Sequence, residues 1–233
     1  MIDKKNIQTE IASYMGKMLR DNFGKGPTSV FVALYSPFLV IHLRGFLAPM
    51  EKILVKQRET KRVEETRDVL MQELMPEIHD NLQTIADIDL QDMYFDWNIH
   101  RQTGMILGIL SSEDKITQPA WPASVDQKKF NQTIIEMSEW GQKTPASTKS
   151  YWINDQIIVV RKSGVFVQIE KEFIKAGFTD ELKLVKRPLE KKLLYQAGLE
   201  KIINKPIVET FMDWDFKNDI GFIILALQSS SKV

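Results

Sequence analysis

The chain has 233 residues, 43% of them hydrophobic and 27% charged, which is room for one large domain or two smaller ones. Its 31 basic residues balance 31 acidic ones, and a pI near 6.9 argues against the strongly basic domain of a nucleic-acid binder. With no cysteine, disulfides, thiol nucleophiles and cysteine metal sites are excluded.

No apolar run reaches the roughly 18 residues of a membrane-spanning helix. The longest candidate, Ser29 to Leu43, is interrupted by Ser36, Pro37 and His42. The opening Met1-Ile2-Asp3-Lys4-Lys5 lacks the apolar core of a secretory signal. The expectation is a soluble cytoplasmic protein without a transmembrane segment. Residues 1–115 hold 14 basic and 17 acidic side chains and residues 116–233 hold 17 and 14. That opposition reads either as two docking copies or as drift between copies.

In chain order, Ile7, Ile11, Tyr14, Met15, Met18 and Leu19 recur at the spacing of one helical face, with Asp3 as the expected N-cap. Gly24-Lys25-Gly26-Pro27 stops that helix. Val30 to Tyr35 and Phe38 to Arg44 flank Ser36-Pro37 and read as a hairpin. From Pro49 a long helix or helix pair is expected, with a solvated polar stretch from Lys56 to Arg62 and a kink or break near Pro76. Asp89 to Ile99 and Gly104 to Leu110 read as a second hairpin. Residues 114–125 form a proline-rich linker containing Gln118-Pro119-Ala120-Trp121-Pro122. A helix over Asp126 to Trp140 and strands over Lys149 to Ile153 and Gln156 to Lys162 follow.

The second half repeats the first. MYFDWNIHRQTGMILGIL at 93–110 corresponds to TFMDWDFKNDIGFIILAL at 210–227, an offset of 117. Gly45-Phe46-Leu47 and Glu51-Lys52 correspond to Gly164-Val165-Phe166 and Glu170-Lys171 at an offset of 119. Such self-similarity marks internal duplication. The fold class expected is α+β: two tandem α-β-β-α-β-β repeats, 1–113 and 126–233, each a four-stranded antiparallel sheet with helices on one face. The last strand of each repeat is apolar on both faces, which leads us to expect the two copies to pack on each other as a pseudo-dimer.

Candidate chemistry is sparse. Alternation along Leu39 to Arg44 places Val40, His42 and Arg44 on one strand face, and His42 becomes Arg161 at offset 119. Cations there could hold a carboxylate or bicarbonate, against the alternative of a solvated strand face. The loop from Gly24 through Gly26 and Pro27 to Ser29 follows a helix and opens a strand, the reverse of a phosphate cradle, so it reads as turn chemistry. His42, His79 and His100 lack metal-ligand spacing. Trp97 and Trp214 fit a core pattern, whereas Asp96 and Asp213 read as exposed edge carboxylates without a partner base. No catalytic residues, metal or cofactors are assigned.

Gly24-Lys25-Gly26-Pro27-Thr28-Ser29-Val30, then Gly45-Phe46-Leu47-Ala48-Pro49-Met50-Glu51-Lys52, then the Arg/Glu-rich helix from Arg58 to Ile78, resemble the MpsC family. These are small bacterial proteins named for a Na+-translocating membrane-potential-generating system. The second repeat fits more loosely, with Gln142-Lys143-Thr144-Pro145 in place of the glycine-rich turn. The family pattern also implies an acidic residue six before the last-hairpin glycine; Asp215 supplies it and Asn98 departs from it. The resemblance implies a non-enzymatic accessory protein at the cytoplasmic side of a membrane ion-transport system, with a membrane transport protein as partner. It implies no mechanism. The alternative is a small-molecule or anion-binding regulator, and self-association as a homo-oligomer stays open.

Overall fold

The computed structural model describes residues 4–111 and 120–229; the N-cap expected at Asp3 and the first half of the linker lie outside them. The chain divides into two compact units, residues 1–118 and 119–233. In the first, α1 (Lys4–Phe23) leads to the hairpin β1 (Ser29–Tyr35) and β2 (Phe38–Arg44), then α2 (Pro49–Lys56), α3 (Thr60–Ala86) and the hairpin β3 (Leu90–Asn98) and β4 (Thr103–Leu110). In the second, α4 (Gln127–Gly141) leads to β5 (Ser147–Asn154) and β6 (Ile157–Ser163). It continues through α5 (Gln168–Lys175), α6 (Thr179–Gln196) and the short α7 (Glu200–Ile203) to β7 (Ile207–Asp215) and β8 (Ile220–Leu227).

Both sheets are antiparallel and four-stranded, ordered β1-β2-β4-β3 and β5-β6-β8-β7. The second strand of the first hairpin therefore pairs with the second strand of the last hairpin in each unit, His42 opposite Met105 and Arg161 opposite Phe222. This shared order carries the repeat from sequence into three dimensions. Each unit is α+β, with helices packed on one sheet face.

That face is chosen by strand alternation. Leu39, Ile41 and Leu43 of β2, Phe95 and Trp97 of β3 and Ile106 of β4 join Ile11, Met15 and Leu19 of α1 and Val63, Met71, Leu74 and Ile78 of α3 in one core. In the second unit Ile158 and Val160, Met212 and Trp214, and Ile223 and Leu225 meet Phe130, Ile134 and Met137 of α4 and Leu194 of α6. Trp121, from the expected linker, belongs to this second core. It packs on Phe130 and Trp152, with ring centroids 5.1 and 5.4 Å away, and its Nε1 donates to Ser150 O at 3.3 Å.

The helical segment after Pro49 differs from expectation. The break falls at Gln57–Glu59, where Arg58 takes a left-handed φ of 64°. Three successive amides, Gln57, Arg58 and Glu59, donate back to Ile53, Val55 and Leu54 and close α2. The polar stretch thus supplies a helix stop. Pro76 does not break α3, because it and the residue whose hydrogen bond it removes, Gln72, both lie on the exposed side. Pro188 likewise lies on the exposed side of an unbroken α6, with the residue four before it, Leu184, partly buried.

Asp96 and Asp213 are also not where alternation alone suggested. They are 2% and 3% exposed, and β4 and β8 are buried along nearly their whole length on both faces. Each carboxylate accepts the next tryptophan's amide, Trp97 N at 2.7 Å and Trp214 N at 2.9 Å, and Lys183 Nζ stands 2.9 Å from Asp213. Partners supplied by neighbouring backbone and helix make burial of these charges tolerable.

Candidate functional site: a caged cation beneath the Gly45 loop

Gly45 ends β2 with φ 63°, and a Cβ there would collide with Thr28, so the sharp exit from the strand requires glycine. The loop is tied down by Phe46 N donating to Gln102 O at 2.8 Å. Pro49 then starts α2, and Glu51 reaches back to accept Ala48 N at 2.6 Å, capping the helix. The Glu51 carboxylate is oriented by that bond.

Arg67 of α3 meets it. Its Nε and Nη2 donate to the two Glu51 oxygens at 2.7 Å each, and Nη2 donates to Phe46 O at 2.9 Å. The guanidinium lies 4.5 Å from the Phe46 ring centroid and 4.9 Å from that of Trp97, with Phe23 at 5.9 Å. Trp97 is itself fixed by its Nε1 donating to Asp68 Oδ1 at 3.1 Å. Arg67 is 1% exposed, and its Nη1 has no hydrogen-bond acceptor among the described residues. A fork-shaped cation suits this place because one plane serves both the carboxylate and the ring faces.

The second unit keeps the frame and changes the filling. Gly164 again has φ 64°, and Glu170 caps α5 by accepting Val167 N at 2.9 Å. Lys186 stands where Arg67 stood, 2.9 Å from Glu170 Oε1 and 3.0 Å from Glu190 Oε1, with Trp214 and Phe166 ring centroids at 5.4 and 5.5 Å. Lys162 of β6 donates to Glu190 Oε2 at 3.1 Å and to Ser138 Oγ at 3.2 Å. Burial pushes the Glu190 carboxyl up, but Lys162 and Lys186 outweigh it and hold it below the usual carboxylate range. The loop is pinned by Asp219, whose carboxylate accepts Val165 N at 2.6 Å and Phe166 N at 2.8 Å and pairs with Lys171 at 2.9 Å.

The side chains singled out from sequence lie elsewhere. His42 is 3% exposed in β2, opposite Phe31 and Met105, while Arg44 at the strand end is exposed. Arg161 is half-buried in β6 between Lys149 and Phe222. Asp215 accepts Asn218 N at 2.9 Å and shapes the last turn, a task Asn98 performs for Arg101 N at 3.1 Å. Gly24 has φ 71°, and Gly26 packs so tightly on Gly16 O that a Cβ would come within 2.8 Å; with Pro27 they turn the chain off α1. Neither Arg67 nor Lys186 was singled out. The signal was present, since both are cations 119 apart, each sixteen residues after a glutamate of the repeated block (Glu51 and Glu170). Among the described residues no cluster of acidic or histidine side chains could hold a metal ion.

Fold and cluster define a two-unit α+β protein in which each unit clamps a capped loop onto its long helix through a buried cation. Residues 3–112 match the model of a family described as "Na+-translocating membrane potential-generating system (MpsC)", so the first unit is similar to that family. No curated protein and no solved structure matches the chain significantly.

Proposed function

We propose that this chain is a non-enzymatic accessory protein of a membrane ion-transport or membrane-potential-generating system, acting through contact with a membrane transport protein. The observation that carries this reading is the family match over 3–112, which spans the Gly45 loop, Glu51 and Arg67. Two features support it. No helix among the described residues is long and apolar enough to cross a membrane, so in this reading any ion path belongs to a partner. The buried cations are paired with carboxylates that cap or line their own helices, Arg67 with Glu51 and Lys162 with Glu190.

The test is deletion of the gene in the native cell, with sodium flux and membrane potential as readouts, together with cross-linking of the tagged chain in intact cells. Loss of sodium-dependent potential, restored by the intact gene, with cross-links to an integral membrane transporter is the expected result. Unchanged flux and potential would overturn the proposal.

A further inference from the structure

Three equivalent core positions differ in kind between the units. Leu19, Leu43 and Met71 meet in the first core, all fully buried. Adding 119 to each number gives Ser138, Lys162 and Glu190, also buried, and in contact as Lys162–Ser138 at 3.2 Å and Lys162–Glu190 at 3.1 Å. The three come from the first helix, the second strand and the long helix of their unit, so each triad spans the whole joint between sheet and helices. The surrounding elements are alike: the same strand order, capping glutamate and long-helix cation, Arg67 or Lys186.

Two similar units on one chain face a problem that single units do not. The long helix of either has a sheet of either to dock on, within one chain or between two. Docking α6 on the first sheet would bury Glu190 against Leu43 and Leu19, stripped of Lys162 and left with Lys186 of its own helix. Docking α3 on the second sheet would leave Lys162 facing Met71. An orphaned buried charge is far more costly than a satisfied pair or an apolar contact, about a hundredfold or more in equilibrium for each.

We infer that Ser138, Lys162 and Glu190 form a pairing lock that makes each sheet accept only its own helices and keeps the duplicated units from exchanging elements. The lock resides in the mismatch between the two triads, and neither triad carries it alone. It therefore predicts a pattern across variants that a merely stabilising ion pair would not produce.

The experiment refolds the full-length chain from denaturant over a range of concentrations and measures the exchanged dimer and larger species by size-exclusion chromatography with light scattering. Four proteins are compared: the natural chain; S138L/K162L/E190M, with both triads apolar; L19S/L43K/M71E, with both triads polar; and the six-fold variant carrying the triads reciprocally swapped. The natural and reciprocal chains are expected to refold to one species. The two matched chains are expected to give exchanged species at least tenfold more abundant, rising with concentration. Equal fractions in matched and mismatched chains overturn the lock. If neither matched chain folds, the inference also falls, because it requires that either filling suit either frame.

Discussion

Arg67 of α3 and Glu51 of α2 face each other through two parallel contacts of 2.7 Å, and the same guanidinium holds Phe46 O at 2.9 Å. One side chain thus joins the long helix, the start of the short helix and the loop leaving the sheet. Its ring contacts with Phe46 and Trp97 carry the connection into the core.

Removing one member of this pair leaves the other charge buried. Glu51→Gln or Arg67→Ala is expected to destabilise the first unit by about 3–5 kcal/mol. Arg67→Lys, which copies the second unit, should lose less because a point charge still reaches Glu51 but cannot span both oxygens. Urea unfolding followed through the Phe46 and Trp97 NMR signals measures it; equal losses for Ala and Lys would refute the geometric argument.

The second unit is expected to be acid-sensitive. Glu190 and Asp219 both have folded pKa values below their ordinary values of 4.5 and 3.8, Glu190 against the upward push of burial and through Lys162 and Lys186, Asp219 against the same push and through the Phe166 amide and Lys171. A depressed carboxylate contributes fully above its unfolded pKa, and that contribution is lost as pH falls through the folded one. Stability should therefore be level above about pH 5 and decline below about pH 4. Four of the five tryptophans lie in residues 119–233, so fluorescence-monitored urea midpoints at each pH report mainly on this unit. A midpoint constant down to pH 3 would contradict the assignment.

Asp219 does for the Gly164 loop what the Gln102 carbonyl does for the Gly45 loop. Asp219→Asn should cost about 1–2 kcal/mol, since hydrogen bonds to a charged acceptor are replaced by neutral ones at a partly exposed site. Hydrogen exchange at Val165 and Phe166 should quicken about tenfold while core amides of β8 stay unchanged. Uniform quickening across the unit would show that the effect is global instead.

Pro76 sits on the exposed side of an unbroken α3. Replacing it with alanine restores a backbone donor and removes a ring clash, and should raise stability by about 1–3 kcal/mol. Thermal unfolding measures the change. A loss of stability would mean that a bend at Pro76 is needed for packing.

Much of the architecture was legible from periodicity. The hairpins appear within a few residues of their expected bounds because β-branched and aromatic runs are punctuated by turn residues, and the offset of 119 aligned Glu51 with Glu170 before any contact was known. The break after α2 was misplaced because proline marks a helix stop only where its neighbours need the lost hydrogen bond. At Gln57–Glu59 the stop depends on a left-handed arginine, which carries no signature of its own; the signal lies at offset 119, where Gly177 is left-handed between α5 and α6. The carboxylates of Asp96 and Asp213 looked exposed because strand alternation says which residues share a face and nothing about what covers it.

Residue order alone determined that this protein is two related α+β units, since local periodicity and a fixed repeat offset are properties of neighbours along the chain. Only the tertiary structure decided that Arg67 meets Glu51 and that Lys162 meets Glu190, because these pairs join residues 16 and 28 positions apart whose encounter depends on how helix and sheet dock. A buried charge is written in the sequence like any other charge. What distinguishes it is the loss of water around it, and that is settled by packing.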